Sequence, residues 1–256
     1  MKNFLSNIFK KDYFFVIIKK IFKRFEKNTS QEAKIWAKIN TYFSTEEFCR
    51  LIDSKLFDEI LPEVKLFENE AKAKLLKLKV PLGGGGNYTL LYFLVRKLMP
   101  NIVVETGVAA GWSSLAILRG LNKNRNGKLY SSDFPYFRLD NPEQYIGILA
   151  KNELNRMDWF LDIRGDDVAI NEIKKKIGNK PIDIIHYDSD KSYSGRDKFL
   201  KDLYSNINSK TLIIFDDIQD NLHFKNLVNK NKENFCIIEF NGKYLGLLGI
   251  NFLIRK

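Results

Sequence analysis

One stretch constrains the fold more than any other: residues 101–121, Asn-Ile-Val-Val-Glu-Thr-Gly-Val-Ala-Ala-Gly-Trp-Ser-Ser-Leu-Ala-Ile-Leu-Arg-Gly-Leu. Ile102, Val103 and Val104 make a β-branched run of the kind found in strands covered on both faces. Glu105 and Thr106 end it. Gly107 and Gly111 bracket a turn of small residues, after which Ser113 or Ser114 is expected to cap a helix carrying Leu115, Ile117, Leu118 and Leu121. Strand, glycine turn and helix in this order open an α/β nucleotide-binding sheet. Glycine allows the tight turn and lets a ligand approach bare backbone. The helix N-terminus offers unpaired N–H groups to that ligand.

The chain beyond this unit repeats the alternation. Lys128 to Asp133 reads as a second strand with an acid at its C-terminal end, where adenosine-binding α/β folds hold the ribose hydroxyls. Trp159, Phe160 and Ile163 suggest a third strand, after a helix around Ile146 to Leu154. Gly165-Asp166-Asp167 then leads into a helix with Val168, Ile170, Ile173 and Ile177. Pro181 to Tyr187 and Thr211 to Phe215 are the fourth and fifth strands. Asn234 to Phe240 and Lys243 to Leu253 are strand-like and joined by Asn241-Gly242, a strong hairpin signal. The pattern predicts a Rossmann-like, seven-stranded α/β sheet over residues 81–256, mostly parallel, with a C-terminal antiparallel hairpin.

Residues 1–80 are expected to be a helical N-terminal extension or cap. Thr29…Glu32 and Ser44…Glu47 fit capping boxes, with Ile35, Trp36, Ile39, Phe48, Leu51 and Ile52 expected inside. Pro62 is expected to interrupt the next run, and Leu66 to Val80 to form a further helix. Charge is uneven. The formal net charge is +11, and residues 1–28 supply +6 of it, eight Lys/Arg against Asp12 and Glu26. With Phe14, Ile18, Ile21 and Phe25 at helical spacing, this segment reads as a basic amphipathic helix. It suits either an anionic membrane surface or docking on its own domain or on a second subunit of a homodimer. The remainder is only mildly basic, which argues against a nucleic-acid groove across the chain. Cys49 and Cys236 show neither metal spacing nor a disulfide framework, so a reducing cytosol is the default. No apolar run reaches bilayer-spanning length.

The chemistry-bearing residues lie after the fourth and fifth strands. Asp188-Ser189-Asp190-Lys191 follows one and Asp216-Asp217 the other. In a parallel sheet both groups converge on the crevice that the glycine turn opens onto. Three carboxylates meeting there repel one another, and a divalent cation, Mg²⁺ first, would offset that. Lys191, with a depressed pKa, could take a hydroxyl proton. His186 reads as a core histidine, and His223 as a helix-surface residue near the rim.

The acid-preceded G-x-x-x-G of residues 105–111 closely resembles motif I of class I S-adenosylmethionine (SAM) methyltransferases. The resemblance covers roughly residues 83–250. It implies SAM as cofactor, with Glu105 toward the methionine amino group, Gly107, Gly111 and Ser113 around the turn, Asp133 on the ribose and Asp166 or Asp167 reading the adenine amino group. Asp188, Lys191, Asp216 and Asp217 look like the metal and base motifs of cation-dependent O-methyltransferases of the catechol and caffeoyl-CoA type. Carried over, Asp188, Asp216 and Asp217 would hold the metal and Lys191 and Asp188 would serve catalysis. Those families have Asn where this chain has Asp217. The flanking text is also similar to bacterial class I methyltransferases found with glycan-modification genes. The implied reaction is O-methylation of a small-molecule or glycan hydroxyl. Two rivals stand beside it: an RNA methyltransferase, against which Asp-Ser-Asp-Lys replaces the usual (Asp/Asn)-Pro-Pro-(Tyr/Phe), and a non-catalytic membrane-associated binding protein. The Gly83–Gly86 loop lies over the cofactor's methionine end or is a plain hinge.

Overall fold

The computed structural model describes residue 26 and residues 28–78, 80–82, 84–134, 136, 139–151, 158–231 and 234–254. The basic helix expected over residues 1–28 lies outside the described residues, apart from Glu26 and Asn28. In chain order the elements are α1 (Ser30–Ile39), β1 (Phe43–Ser44), α2 (Thr45–Leu76), α3 (Tyr88–Leu98), β2 (Ile102–Thr106), α4 (Trp112–Asn124), β3 (Lys128–Ser132), β4 (Trp159–Asp162), α5 (Asp166–Ile177), β5 (Ile184–Tyr187), α6 (Tyr193–Leu203), β6 (Leu212–Phe215), α7 (His223–Asn231), β7 (Phe235–Phe240), β8 (Lys243–Leu248) and α8 (Asn251–Ile254).

All eight strands join one sheet in the order β1-β7-β8-β6-β5-β2-β3-β4. Among the described residues, only the pairings of β8, with β6 and with β7, are antiparallel. Seven strands are those expected from the sequence, and β1 adds a two-residue parallel bridge beyond β7. Strand order reverses between β2 and β5, so the crevice for a ligand opens beyond their C-terminal ends. The hairpin turn is the expected one, with Asn241 at φ 53° and Gly242 at φ 76°, the paired left-handed conformation of a tight two-residue loop.

Both faces of the central strands are covered, which is why β2 reads as unbroken apolar sequence. On one face Val103, Leu129, Ile184 and Ile214 meet Phe57, Ile60 and Phe67 of α2 and residues of α3 and α4. On the other, Val104, Ile185, Tyr187 and Phe215 meet Ile170, Ile173, Phe199, Leu203 and Phe224. Residues 30–76 share these cores. Phe48, Phe57, Ile60 and Phe67 are all buried, each contributing about 1.5–3 kcal/mol over exposure.

The extension departs from expectation in its details. Ser44 and Glu47 form the capping box. Thr29 makes no side-chain cap on α1; its hydroxyl accepts from Leu222 N instead. Ile35, Ile39 and Leu51 are exposed rather than inside. Pro62 does not interrupt the helix. The break falls at Asp53 (φ −162°, ψ 91°), whose carboxylate accepts from Leu56 N and restarts the helix. Burial of Ile60 and Val64 on either side of Pro62 outweighs the roughly 3 kcal/mol cost of proline in a helix interior. The helix ends at Leu76. Residues 145–151 form turns rather than the expected helix, and residues 152–154 of that expectation lie outside the described residues. The last strand stops at Leu248, where Gly249 turns left-handed (φ 74°) into α8.

Candidate functional site

The turn between β2 and α4 sets the crevice. Gly107 has φ 82°, and a Cβ there would stand 2.2 Å from the backbone oxygen of Asp188. Only glycine lets the β2 turn and the loop after β5 touch in this way. Neither Ser113 nor Ser114 caps α4. Gly111 is the N-cap, without a side-chain bond: the helix begins two residues earlier than a Ser113 cap would place it, and Ser114 points inward. Its hydroxyl donates to Glu105 Oε2 at 2.6 Å. Ser113 is buried in the first turn.

A cavity of about 230 Å³ lies along this turn, lined by Gly107, Ala109, Asp133, Phe134, Asp166 and Asp188 among others. Asp133 follows β3, and its Oδ2 accepts from Ala109 N at 2.5 Å. The acid at the second strand thus faces the glycine turn. Asp166 opens α5 and accepts from Ser132 Oγ at 2.6 Å and Ser189 Oγ at 2.5 Å. It ties β3 to the loop after β5 at the same rim of the cavity. Glu105 is placed differently from the other motif residues. It is fully buried beneath the turn, and Ser131 as well as Ser114 donates to its Oε2.

The acids after β5 and β6 do meet, but Lys191 stands among them. Its ammonium pairs with Asp188 Oδ1 and lies 3.1 Å from Asp217 Oδ2. Burial works to discharge it, but Asp188, Asp216 and Asp217 outweigh that and raise its pKa. The depressed pKa expected from the sequence is therefore reversed: three carboxylates hold the proton on. Asp217 takes a left-handed turn (φ 52°) and is also paired with Lys243, 3.1 Å away, and with Gln219. Burial raises its pKa, but these two lysines win and lower it. Asp216 is raised to about 6 by burial and by Asp188. The Arg196 guanidinium on α6 is fully buried and donates to the backbone oxygens of Asp216 (3.1 Å) and Asp217 (2.7 Å), fixing this turn. The glycine-rich loop closes the site from the other side. A Cβ at Gly86 would stand 3.2 Å from Asp216 Oδ2, and Tyr88 stacks on Trp112 at 5.1 Å.

Residues 104–218 match the family model described as a methyltransferase domain. This segment, a little under half of the chain, is similar to methyltransferase domains. Its fold agrees with solved structures. The O-methyltransferase TomG from Streptomyces achromogenes, crystallised with SAM, aligns with TM-score 0.53 at 14% identity over 71% of this chain and 86% of that one. The O-methyltransferase from Bacillus cereus, in complex with S-adenosylhomocysteine (SAH), aligns with TM-score 0.52 at 14% identity over 77% of this chain and 96% of that one. No curated protein matches the sequence.

Of the expected metal set, Asp188 and Asp216 bring their carboxylates together, and Asp217 does not join them in one group among the described residues. Asp217 is turned to Lys191 and Lys243. The groups whose donor atoms lie within 4.8 Å of one another are His186, Asp188 and Asp216, two carboxylates and an imidazole that suit a divalent ion. His186 is buried, as a core residue would be, but it sits at the end of β5 against these acids. His223 is buried rather than on the surface, and burial lowers its pKa to about 4. Lys243, Arg196 and Ser131 were missed from the sequence, and Ser114 was expected as a cap and serves Glu105 instead. Lys243 carried a usable signal: it is the first residue of β8, and β8 runs antiparallel to β6, so it must start where β6 ends.

Proposed function

We propose that this chain uses SAM to methylate a hydroxyl oxygen on a small molecule or a glycan. The observation that carries the reading is the contact of Gly107 with Asp188. It joins the cofactor turn directly to the loop bearing Lys191. Asp133 facing the glycine turn, Asp166 at the rim of the cavity and Glu105 behind the turn support SAM as the ligand, together with the SAM- and SAH-bound neighbours.

The acceptor oxygen attacks the methyl carbon, the carbon–sulfur bond breaks, and the sulfonium leaves as the neutral thioether of SAH. The hydroxyl proton passes to Asp188. Lys191 stays an ammonium and stabilises the oxygen as it becomes more negative. Rigid placement of acceptor and methyl donor supplies much of the rate. A divalent cation held by Asp188 and Asp216 would add Lewis acidity toward the acceptor oxygen.

The test uses methyl-labelled SAM with hydroxylated aromatics and saccharides. The label is expected on oxygen, with SAH released in equal amount. Lys191→Met is expected to lower kcat by about 10²–10³-fold, the scale of a lost oxyanion donor, while SAH binding is retained. Label on nitrogen or on RNA, or full activity in Lys191→Met, overturns the reading. The basic segment over residues 1–28 suits an anionic membrane surface at the inner face of the membrane. Liposome sedimentation that is unchanged on its deletion overturns that placement.

A further inference from the structure

The N-terminal extension reaches the site through one short segment. Glu26 lies 167 residues before Tyr193 in the chain, yet its Oε2 accepts from Tyr193 N at 2.8 Å. Its Oε1 accepts from Ser194 N at 3.2 Å and from Ser194 Oγ. These are the first N–H groups of α6, which have no partner inside the helix. Ser192 serves the next one, accepting from Gly195 N at 3.0 Å. A carboxylate suits this end of a helix, where the peptide dipoles favour negative charge. Further on, Thr29 Oγ1 accepts from Leu222 N at 3.2 Å. Between them, Asn28 Oδ1 stiffens the segment by accepting from Ser30 N and Ser30 Oγ.

These bonds close a ring around Lys191. From Glu26 the ring runs into the first turn of α6 and back along the chain to Lys191. The Lys191 backbone oxygen accepts from Asn221 Nδ2 at 2.6 Å. Leu222, the next residue, returns the ring to Thr29. The neighbours of Lys191 are held as well, since Ser192 N donates to Asp190 Oδ1 at 3.0 Å and Tyr187 donates to Asp190 O at 2.8 Å. Trp36 of α1 packs its ring against Phe224 and Phe235, which anchors the segment to α7 and β7. The same turn of α6 carries Arg196, whose guanidinium holds the backbone oxygens of Asp216 and Asp217. One helix turn thus ties Lys191 to the Asp216–Asp217 turn, and Glu26 holds that helix turn.

We infer that Glu26 is a positioning residue, which through this ring holds the Lys191 ammonium where the acceptor oxygen reacts. Lys191 has that task under the methyl-transfer reading of the crevice, on which the role of Glu26 rests. Among the described residues the Glu26 carboxylate bonds Tyr193 and Ser194, not the ammonium, so it acts through the backbone. A misplacement of about 1 Å at a reacting group can cost about 10²-fold in rate, and Lys191 lies on a loop with no helix or strand of its own to fix it. Glu26 and Thr29 also lie outside residues 104–218, the segment that resembles methyltransferase domains. The extension therefore completes the site from outside that segment.

The test uses the full chain with Glu26→Ala, Glu26→Gln, Thr29→Val and the double variant Glu26→Ala/Thr29→Val. Glu32→Gln is the control, because it removes a surface pair with Lys225 and leaves the ring intact. Amide hydrogen exchange over residues 190–194, SAH calorimetry, and kcat and KM with labelled SAM and its hydroxylated acceptor are measured for each. Glu26→Ala should exchange faster over 190–194 and lose about 10–100-fold in kcat, with SAH affinity and the KM for SAM at the wild-type value. Glu26→Gln, which keeps one accepting oxygen, should fall between. The double variant should lose no more than Glu26→Ala alone, since a ring opened once is open, and Glu32→Gln should match wild type. Unchanged exchange in Glu26→Ala, additive losses in the double variant, or a loss in Glu32→Gln as large as in Glu26→Ala overturns the ring. A SAH affinity that falls as far as kcat also overturns it, because the carboxylate would then serve the fold alone. Wild-type turnover with undiminished kcat in Glu26→Ala removes the positioning role and leaves methyl transfer standing. A wild type that binds SAH and methylates no hydroxyl removes the methyl-transfer reading, and the role of Glu26 with it.

Discussion

Replacing Gly107 by Ala tests the contact on which the crevice is built. Two costs add. The residue sits at φ 82°, where an L side chain costs about 1–2 kcal/mol. The new Cβ would also stand 2.2 Å from Asp188 O, 2.5 Å from Asp188 C and 3.0 Å from Ser189 N. These are backbone atoms, so no rotamer change relieves the clash. The β2 turn and the β5 loop must separate, and forcing extra volume into a packed site costs about 1–3 kcal/mol. The sum is about 2–5 kcal/mol, which for a chain of this size lowers Tm by roughly 4–20 °C. The same separation moves Asp188 away from the cofactor turn, so SAH affinity should fall by at least about tenfold, equivalent to 1.4 kcal/mol. Differential scanning fluorimetry reads the first effect and calorimetry the second. A Gly107→Ala chain with wild-type Tm and SAH affinity would refute the reasoning, since the turn and the loop would then not be in contact.

Three further outcomes follow from the same geometry. Asp216 is raised to about 6, so the folded chain binds its proton more tightly than the unfolded one. Stability of the metal-free chain should therefore fall as pH rises from about 4 to about 6, by about 3 kcal/mol from this group, and stay lowered above that. Asp216→Asn should remove that slope in urea midpoints measured across this range, and parallel profiles would contradict it. Ser114→Ala should destabilise by about 1–3 kcal/mol, the cost of leaving a buried acceptor without its donor, and its double variant with Ser131→Ala should be non-additive because both hydroxyls serve Glu105 Oε2. Arg196→Ala should cost about 3–5 kcal/mol in denaturant midpoint, as it opens a large buried volume and frees the carbonyls of Asp216 and Asp217.

What the sequence disclosed was whatever short-range pattern encodes. Apolar runs ending in acids located β2, β3, β5 and β6, and Asn241-Gly242 located the hairpin, because strand period and turn chemistry are local. Asp133 and Asp188 could be placed at the crevice because topology puts every parallel strand end there. Tertiary decisions stayed hidden. Pro62 was tolerated by burial on either side of it. Ser114 was drawn from a capping role to Glu105 across the β2–α4 turn. The charge state of Lys191 depends on Asp188, Asp216 and Asp217 arriving together from two loops, and that of Asp217 on Lys243 arriving from β8. Asp217 in place of Asn reads in sequence as one extra negative charge at a metal site. In the fold it is one arm of a lysine–carboxylate network.

The central claim is that the cavity beside Gly107 is a SAM site, and calorimetric titration of SAH into wild type and Asp133→Ala tests it most directly. The expected result is binding near the micromolar range, weakened at least about tenfold by the substitution as the ribose hydroxyls lose their acceptor. Absence of SAH binding in the wild type, or equal binding in Asp133→Ala, would contradict the account.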